Sequence, residues 1–245
     1  MSAQQEEYRH RVIQACLNGS RSRDAHPNLP RSAAEVGWDA RDCAEAGATS
    51  VHVHPREPRK ESMGPTAVAR TVAAIRDAAP GLPIGVITGE RVLASVRERV
   101  LAIEAWDVLP DFASVNWHDD GATDVAAALL DRGIAVEAGL HSLRAARAFT
   151  QSPLREECMR VLVRLPSHAS LLLADEILDE VGTDYPVLLH GEGDSCWAAL
   201  NRAIELGLDC RIGLEDTLEL PDGSPASSNA ELVRIAVELE AAARA

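Results

Sequence analysis

SVHVHPREP, residues 50–58, ends a short apolar run with two histidines two positions apart, followed at once by a proline and an arginine. Side chains at i and i+2 of a strand share one face, so His52 and His54 point the same way. What they point at depends on the sheet around them, and the rest of the chain supplies that sheet. Apolar runs recur at VIQACLN (12–18), TSVHVH (49–54), PIGVIT (83–88), DFASVN (111–116), GIAVEA (133–138), MRVLVRL (159–165), YPVLLH (185–190) and DCRIGLE (209–215). Stretches with helical spacing separate them, among them SAAEVGWDARDCAEAG (32–47), PTAVARTVAAIRDAAP (65–80), TDVAAALLDRG (123–133) and SCWAALNRAIELG (195–207). The end, SNAELVRIAVELEAAARA (228–245), is a further helix, with Ser228 as N-cap and Glu231 as its capping-box partner.

Eight strands, each followed by a helical segment, are what a closed parallel (β/α)8 TIM barrel needs, and such barrels take about 250 residues. The 245 residues are therefore read as one barrel domain, residues 1–245, with 1–11 as an N-terminal extension. Near-continuous apolar strands suit a sheet covered on both faces. Gly47, Gly81, Gly133 and Gly207 stand where helices must turn into strands. An open doubly wound sheet competes, but it calls for G-x-G-x-x-G after the first strand, and CLNGSRSRD (16–24) holds a single glycine.

Composition narrows the partners. Lysine and arginine number 24 against 38 acidic residues, a formal charge of −14, a balance that runs against a nucleic-acid partner, which requires a basic surface. No apolar run approaches the roughly 18 residues of a membrane span, and MSAQQEEYRH at the start lacks a secretory apolar stretch. Five cysteines (16, 43, 158, 196, 210) form no C-x-x-C pair and read as reduced core thiols of a cytoplasmic protein.

In such a barrel, chemistry collects at the C-terminal strand ends. Those ends read Asn18, His52 with His54, Thr88, Asn116, Glu137, His190, and Glu215 with Asp216, while strand six near Arg164 is the least legible. Two neutral imidazoles on one rigid face chelate a divalent transition metal, zinc above all. Barrel closure brings strand eight beside strand one and close to strand two, so Glu215 in RIGLEDTL is placed to complete a His-His-Glu set with an open position, the make-up of a catalytic zinc site. Two strand histidines bonded to core partners would leave the same H-x-H, so the reading depends on that closure.

The segments CLNGSRSRDAHPNLPRSAAEVGWDARDCAEAGATSVHVHPRE and RIGLEDTLELPDGSPASSNAELV resemble the β-keto acid cleavage enzymes, and the resemblance runs from about Ile13 to Val233 in a chain shorter than is usual there. It implies a zinc-dependent, homo-oligomeric TIM barrel, a dimer or tetramer. The implied reaction takes a small β-keto acid and acetyl-CoA as co-substrate and yields acetoacetate and a new acyl-CoA. His52, His54 and Glu215 then fall on the metal ligands, Asp216 on the general base and Arg211 on the arginine that orients it. Thr88 and Gly89 in VITGE, Asn116 in SVNWHD and Glu137 in VEAGL fall in the substrate pocket. Arg211 also stands an even four residues before Glu215, which on a continuing strand gives the two one face.

Two departures matter. Family members that act on an amino-keto acid hold its amine with an acid shortly after the first-strand glycine, where this chain has Gly19-Ser20-Arg21-Ser22-Arg23. Arg21 and Arg23 are expected to meet an anion, either a second carboxylate or a CoA phosphate. LLHGEGDSCW (188–197) also differs, making His190 and Glu192 pocket residues of this branch. His118, His141 and His168 are expected to face solvent, and His26 to be a turn residue before proline. A barrel metal hydrolase of the amidohydrolase type is the alternative, since H-x-H begins those sites too; it needs further histidines at later strand ends, where His190 alone is available. A barrel that binds metabolites without turnover is a third reading.

Overall fold

The computed structural model describes residues 11–58, 60–182 and 185–244. The first ten residues of the expected N-terminal extension lie outside them, as does the Arg23 side chain. Among the described residues eight parallel strands close into a barrel. They are β1 (Ile13–Cys16), β2 (Ser50–Val53), β3 (Ile84–Ile87), β4 (Phe112–Asn116), β5 (Ala135–Leu140), β6 (Arg160–Leu165), β7 (Val187–Gly191) and β8 (Asp209–Ile212). The helices α1 (Ala33–Glu45), α2 (Pro65–Ala78), α3 (Val96–Glu104), α4 (Ala122–Asp131), α5 (Leu143–Thr150), α6 (Leu171–Val181), α7 (Cys196–Leu206) and α8 (Asn229–Ala243) follow the strands in turn. β1 pairs with β8 on one side and β2 on the other, with Gln14 opposite Arg211 and Cys16 opposite His52. That closure sets the two histidines one strand away from the end of β8.

Burial explains why the strand sequences are almost unbroken runs of apolar residues. Val51 and Val53 are both fully buried, because helices cover the outer face while side chains fill the inside. At the four expected helix-to-strand turns Gly47, Gly81, Gly133 and Gly207 all have positive φ, a conformation that a Cβ would strain. The five cysteines are free and buried. Among the described residues no helix is long and apolar enough to cross a membrane.

Three local expectations change. The eighth strand stops at Ile212, and residues 213–217 form a turn in which the Asp216 and Thr217 amides bond to the Gly213 carbonyl. Gly213 is required there, since an ideal Cβ would stand 2.1 Å from the Cys16 carbonyl oxygen of β1. The fifth strand runs to Leu140, so Glu137 lies within it instead of at its end. Ser228 does cap α8 through the Glu231 amide, but the Glu231 carboxylate bonds back to Ser227, one residue earlier than a capping box requires.

Candidate active site

A cavity of about 500 Å³ opens at the C-terminal ends of the strands, and His52, His54, His190, Arg211 and Glu215 line it. His52, His54 and Glu215 each offer a ligand atom within 4.8 Å of the others, and they form a group able to hold a metal ion. The two imidazoles meet edge to face with centroids 5.3 Å apart. His54 Nε2 lies 3.5 Å from Glu215 Oε1, and His54 Nδ1 lies 3.4 Å from Glu61 Oε1.

The surroundings prepare this corner for a cation. His52 Nδ1 and Glu215 Oε2 are buried with no hydrogen-bond partner, an arrangement that costs free energy unless something binds them. Burial lowers the His52 pKa to about 4, more than the Glu215 carboxylate raises it, so the ring is a neutral donor of the kind a metal takes. Burial also works to lower His54, but the carboxylates of Glu215 and Glu61 outweigh it and raise the group to about 9. Glu215 is held well below the usual carboxylate range, because Arg211 and the two histidines overcome its desolvation. Two carboxylates around one imidazole demand positive charge, and these donors fit a divalent ion.

Local folding explains how these side chains meet. Asn18, at the end of β1, accepts the His54 backbone amide at 2.9 Å and donates to the His54 carbonyl at 3.1 Å, fixing the chain just beyond β2. Gly19 has a φ of +52°, and a Cβ there would stand 2.4 Å from Glu215 Cγ, so glycine alone lets the glutamate pass. Asn229, first in α8, accepts the Leu214 amide at 2.6 Å and donates to the Leu17 carbonyl at 2.9 Å. It ties the Glu215 turn to β1.

Arg211 is the hub behind the ligand group. It donates to Asp216 through both sides of its fork, NH2 to Oδ1 at 2.8 Å and Nε to Oδ2 at 3.2 Å, and to Glu215 Oε1 at 2.8 Å. Its contact with Glu215 comes from the 213–217 turn and not from a shared strand face. Burial favours protonated Asp216, yet Arg211 and His190 keep its pKa below the usual range. His190 Nδ1 lies 3.2 Å from Arg211 Nε and 3.5 Å from Asp216 Oδ1, while its buried Nε2 has no hydrogen-bond partner. Desolvation and Arg211 lower the His190 pKa, so it stays neutral.

Several expected pocket residues stand elsewhere. Asn18 and Thr88 do not line the cavity; the Thr88 hydroxyl donates to the Ser114 carbonyl at 2.7 Å. Glu137 is inside the barrel, where Arg160 Nε donates to it at 2.7 Å. Asp216 is fully buried outside the lining. Gly89, Asn116, Arg21 and Glu192 do line it. His118, expected in solvent, is a lining residue whose Nε2 lies 3.2 Å from Asp119 Oδ1, with the half-buried His141 ring against it at 3.7 Å. His168 is exposed, as expected, and pairs with Asp194. His26 is a loop fastener, its Nε2 at 2.8 Å from the Ala226 carbonyl and its Nδ1 accepting the Asn28 amide. Glu61, Arg91 and Arg164 also line the cavity, and sequence reading had assigned none of them a role. Glu61 follows the H-x-H in a two-residue antiparallel ladder with Arg56 and Glu57, too short to leave a periodic signal.

A family model described as beta-keto acid cleavage enzyme matches residues 11–120 and 136–245. The chain is 25% identical over 248 residues to the 3-keto-5-aminohexanoate cleavage enzyme of Fusobacterium nucleatum subsp. nucleatum, across 93% of this chain and 90% of that protein. It is 29% identical over 252 residues to the 3-oxoadipate:acetyl-CoA acetyltransferase of Cupriavidus necator, across 91% and 85%. Among solved structures, the binary complex of ObcA with oxaloacetate aligns with a TM-score of 0.67 at 19% identity, over 86% of this chain and 63% of that one. That likeness is one of fold.

Proposed function

This chain belongs to the beta-keto acid cleavage enzyme family, and we propose that it exchanges acyl groups between a β-keto acid and acetyl-CoA, giving acetoacetate and a new acyl-CoA. The observation that carries the reading is the set of His52, His54 and Glu215 ligand atoms, mutually within 4.8 Å, beside an arginine-clamped aspartate. These three residues would hold one divalent ion, zinc first. When bound, it would supply a Lewis acid against which the substrate's keto and carboxylate oxygens polarise.

The remaining chemistry belongs to the chain's own residues. Exchange begins with loss of the proton between the keto and carboxylate groups of the β-keto acid. The cavity faces this step with His190 and Arg211, and the Asp216 carboxylate that Arg211 clamps directly behind them is the proton's acceptor. Arg211 Nε donates to His190 Nδ1, so the neutral ring carries its proton on Nε2 and supplies a donor at that nitrogen. The Arg21 guanidinium, donating to the Glu215 and Asp216 carbonyls at 3.0 and 3.4 Å, sits where an amine-binding acid would be expected. A keto acid without an amino group suits this cavity better. The hydrolase reading gains nothing from the structure, since His190 turns to Arg211 and Asp216 instead of joining the ligand group.

The test is a panel of β-keto acids assayed with acetyl-CoA on metal-replete protein. New acyl-CoA formed mole for mole with acetoacetate supports the proposal. Keto-acid cleavage that proceeds without any thioester acceptor refutes it.

A further inference from the structure

The His54 ring stands between two carboxylates, and only one of them belongs to the ligand group. Nε2 lies 3.5 Å from Glu215 Oε1, while Nδ1, on the other side of the ring, lies 3.4 Å from Glu61 Oε1. A neutral imidazole carries one proton. With Nε2 as the donor to an ion, that proton stands on Nδ1, where a buried N–H needs an acceptor. His54 Nδ1 is buried and makes no hydrogen bond to any other described residue, so Glu61 is the acceptor within reach. The two side chains are 9% and 15% exposed, which sets this pair apart from a solvent-screened surface contact.

Glu61 comes to the ring from seven residues further along the chain. Beyond β2 the backbone pairs Arg56 with Glu61 and Glu57 with Lys60 in a short antiparallel ladder, then enters α2 at Pro65. The ladder doubles the chain back and returns Glu61 to the end of the strand. Three contacts fasten it there. The Ser62 amide donates to the Pro55 carbonyl at 2.8 Å, Arg56 donates to the Gly19 and Arg21 carbonyls, and the buried Trp106 donates from Nε1 to the Met63 carbonyl at 2.7 Å. Asn18 holds the His54 backbone from β1. Backbone and ring are therefore fixed from two different directions.

We infer that Glu61 is a positioning residue of the metal centre: its carboxylate accepts the His54 Nδ1 proton, leaves Nε2 as the donor on the side of Glu215, and strengthens that donor's hold on the ion. The assignment rests on the reading of His52, His54 and Glu215 as ligands of one ion, and is independent of the reaction that follows. A rival role exists, because Glu61 also lines the catalytic cavity, where a carboxylate can meet a cationic group of a substrate.

Zinc affinity is measured by competition with a chromophoric chelator for the parent protein, Glu61→Gln, Glu61→Ala and Lys60→Gln, the last an exposed position on the same ladder. Thermal melts of the metal-free proteins check folding. The expected Kd rises about tenfold in Glu61→Gln, which keeps an acceptor oxygen and loses the charge, and by up to about a hundredfold in Glu61→Ala. Lys60→Gln binds as the parent does. Proton NMR of the zinc-loaded parent shows a His54 ring N–H resonance far downfield, and it moves upfield in Glu61→Gln. Equal zinc affinity in all four proteins overturns the assignment, and so does a loss in Lys60→Gln as large as that in Glu61→Gln. A Glu61→Gln protein whose only defect is a raised KM for the keto acid overturns it too, since the carboxylate would then serve the substrate. A parent protein that takes up no zinc overturns the ligand group and this assignment with it. Zinc binding that weakens without Glu61, in a protein that exchanges no acyl groups, upholds the assignment and refutes the acyl-exchange reading instead.

Discussion

Two buried arginine–carboxylate pairs of the barrel are alike in separation and exposure. Arg160 and Glu137 meet at 2.7 Å with side chains 4% and 0% exposed, and Arg211 and Asp216 meet at 2.8 Å with the same 4% and 0%. Their difference lies in where they stand. Arg160 opens β6 and Glu137 lies within β5, so their pairing crosses neighbouring strands inside the barrel, with Gln14 as a further partner at 3.3 Å. Arg211 stands near the end of β8 and reaches the cavity, while Asp216 follows in the turn beyond it. Burial and charge pairing alone therefore do not mark a catalytic group in this fold. Position along the strand is what separates the pairs, because Arg211 reaches the cavity and Arg160 does not. A half-buried acid completes the contrast: Asp39 has an asparagine for a partner, Asn229 at 2.6 Å, and desolvation raises its pKa to about 7.

The largest expected effect separates the two pairs. Asp216→Asn keeps size and shape but removes the charge behind His190, and steady-state assays should give a kcat lower by about 10²–10⁴, the range of acid–base contributions. Glu137→Gln should leave turnover near that of the parent protein and lower the unfolding free energy by roughly 3 kcal/mol, because it leaves the buried Arg160 with only the longer 3.8 Å pairing to Asp209. Urea denaturation with parallel kinetics checks both, and a Glu137 variant that is stable but inactive would break the distinction. Asn229→Ala, which frees the Glu215 turn, should weaken metal binding by about tenfold in chelator competition, as losses of supporting contacts do. The smallest effect concerns Asp39. The folded chain keeps the Asp39 proton up to about pH 7, whereas the unfolded chain releases it near its ordinary 3.8. This group therefore makes stability fall as pH rises between those values. Asp39→Asn should flatten that part of a stability–pH profile, and an unchanged slope would refute the assignment.

The barrel was legible because each strand is buried on both sides and so reads as an apolar run of its own. Closure then brought Glu215 to the histidines without any knowledge of distances. The same reasoning erred where a strand's end had to be located. Carrying β8 to Glu215 gave Arg211 the correct neighbour for the wrong reason, since the turn at Gly213 is what folds the glutamate back. Ending β5 too early placed Glu137 at the mouth. Asn18 and Thr88 show a different limit: polar side chains at strand ends are expected there either way, and only coordinates reveal that both are committed to backbone groups. Glu61 comes from a two-residue ladder after β2, too short for any periodicity to record.

The central claim is that His52, His54 and Glu215 grip one ion. Anomalous diffraction at the metal edge, on crystals of the protein purified with its metal, measures this directly. The account predicts one peak per chain, about 2.0–2.2 Å from a nitrogen of each histidine and an oxygen of Glu215. A peak lying elsewhere, or none in crystals whose dissolved protein turns over at full rate, would contradict it.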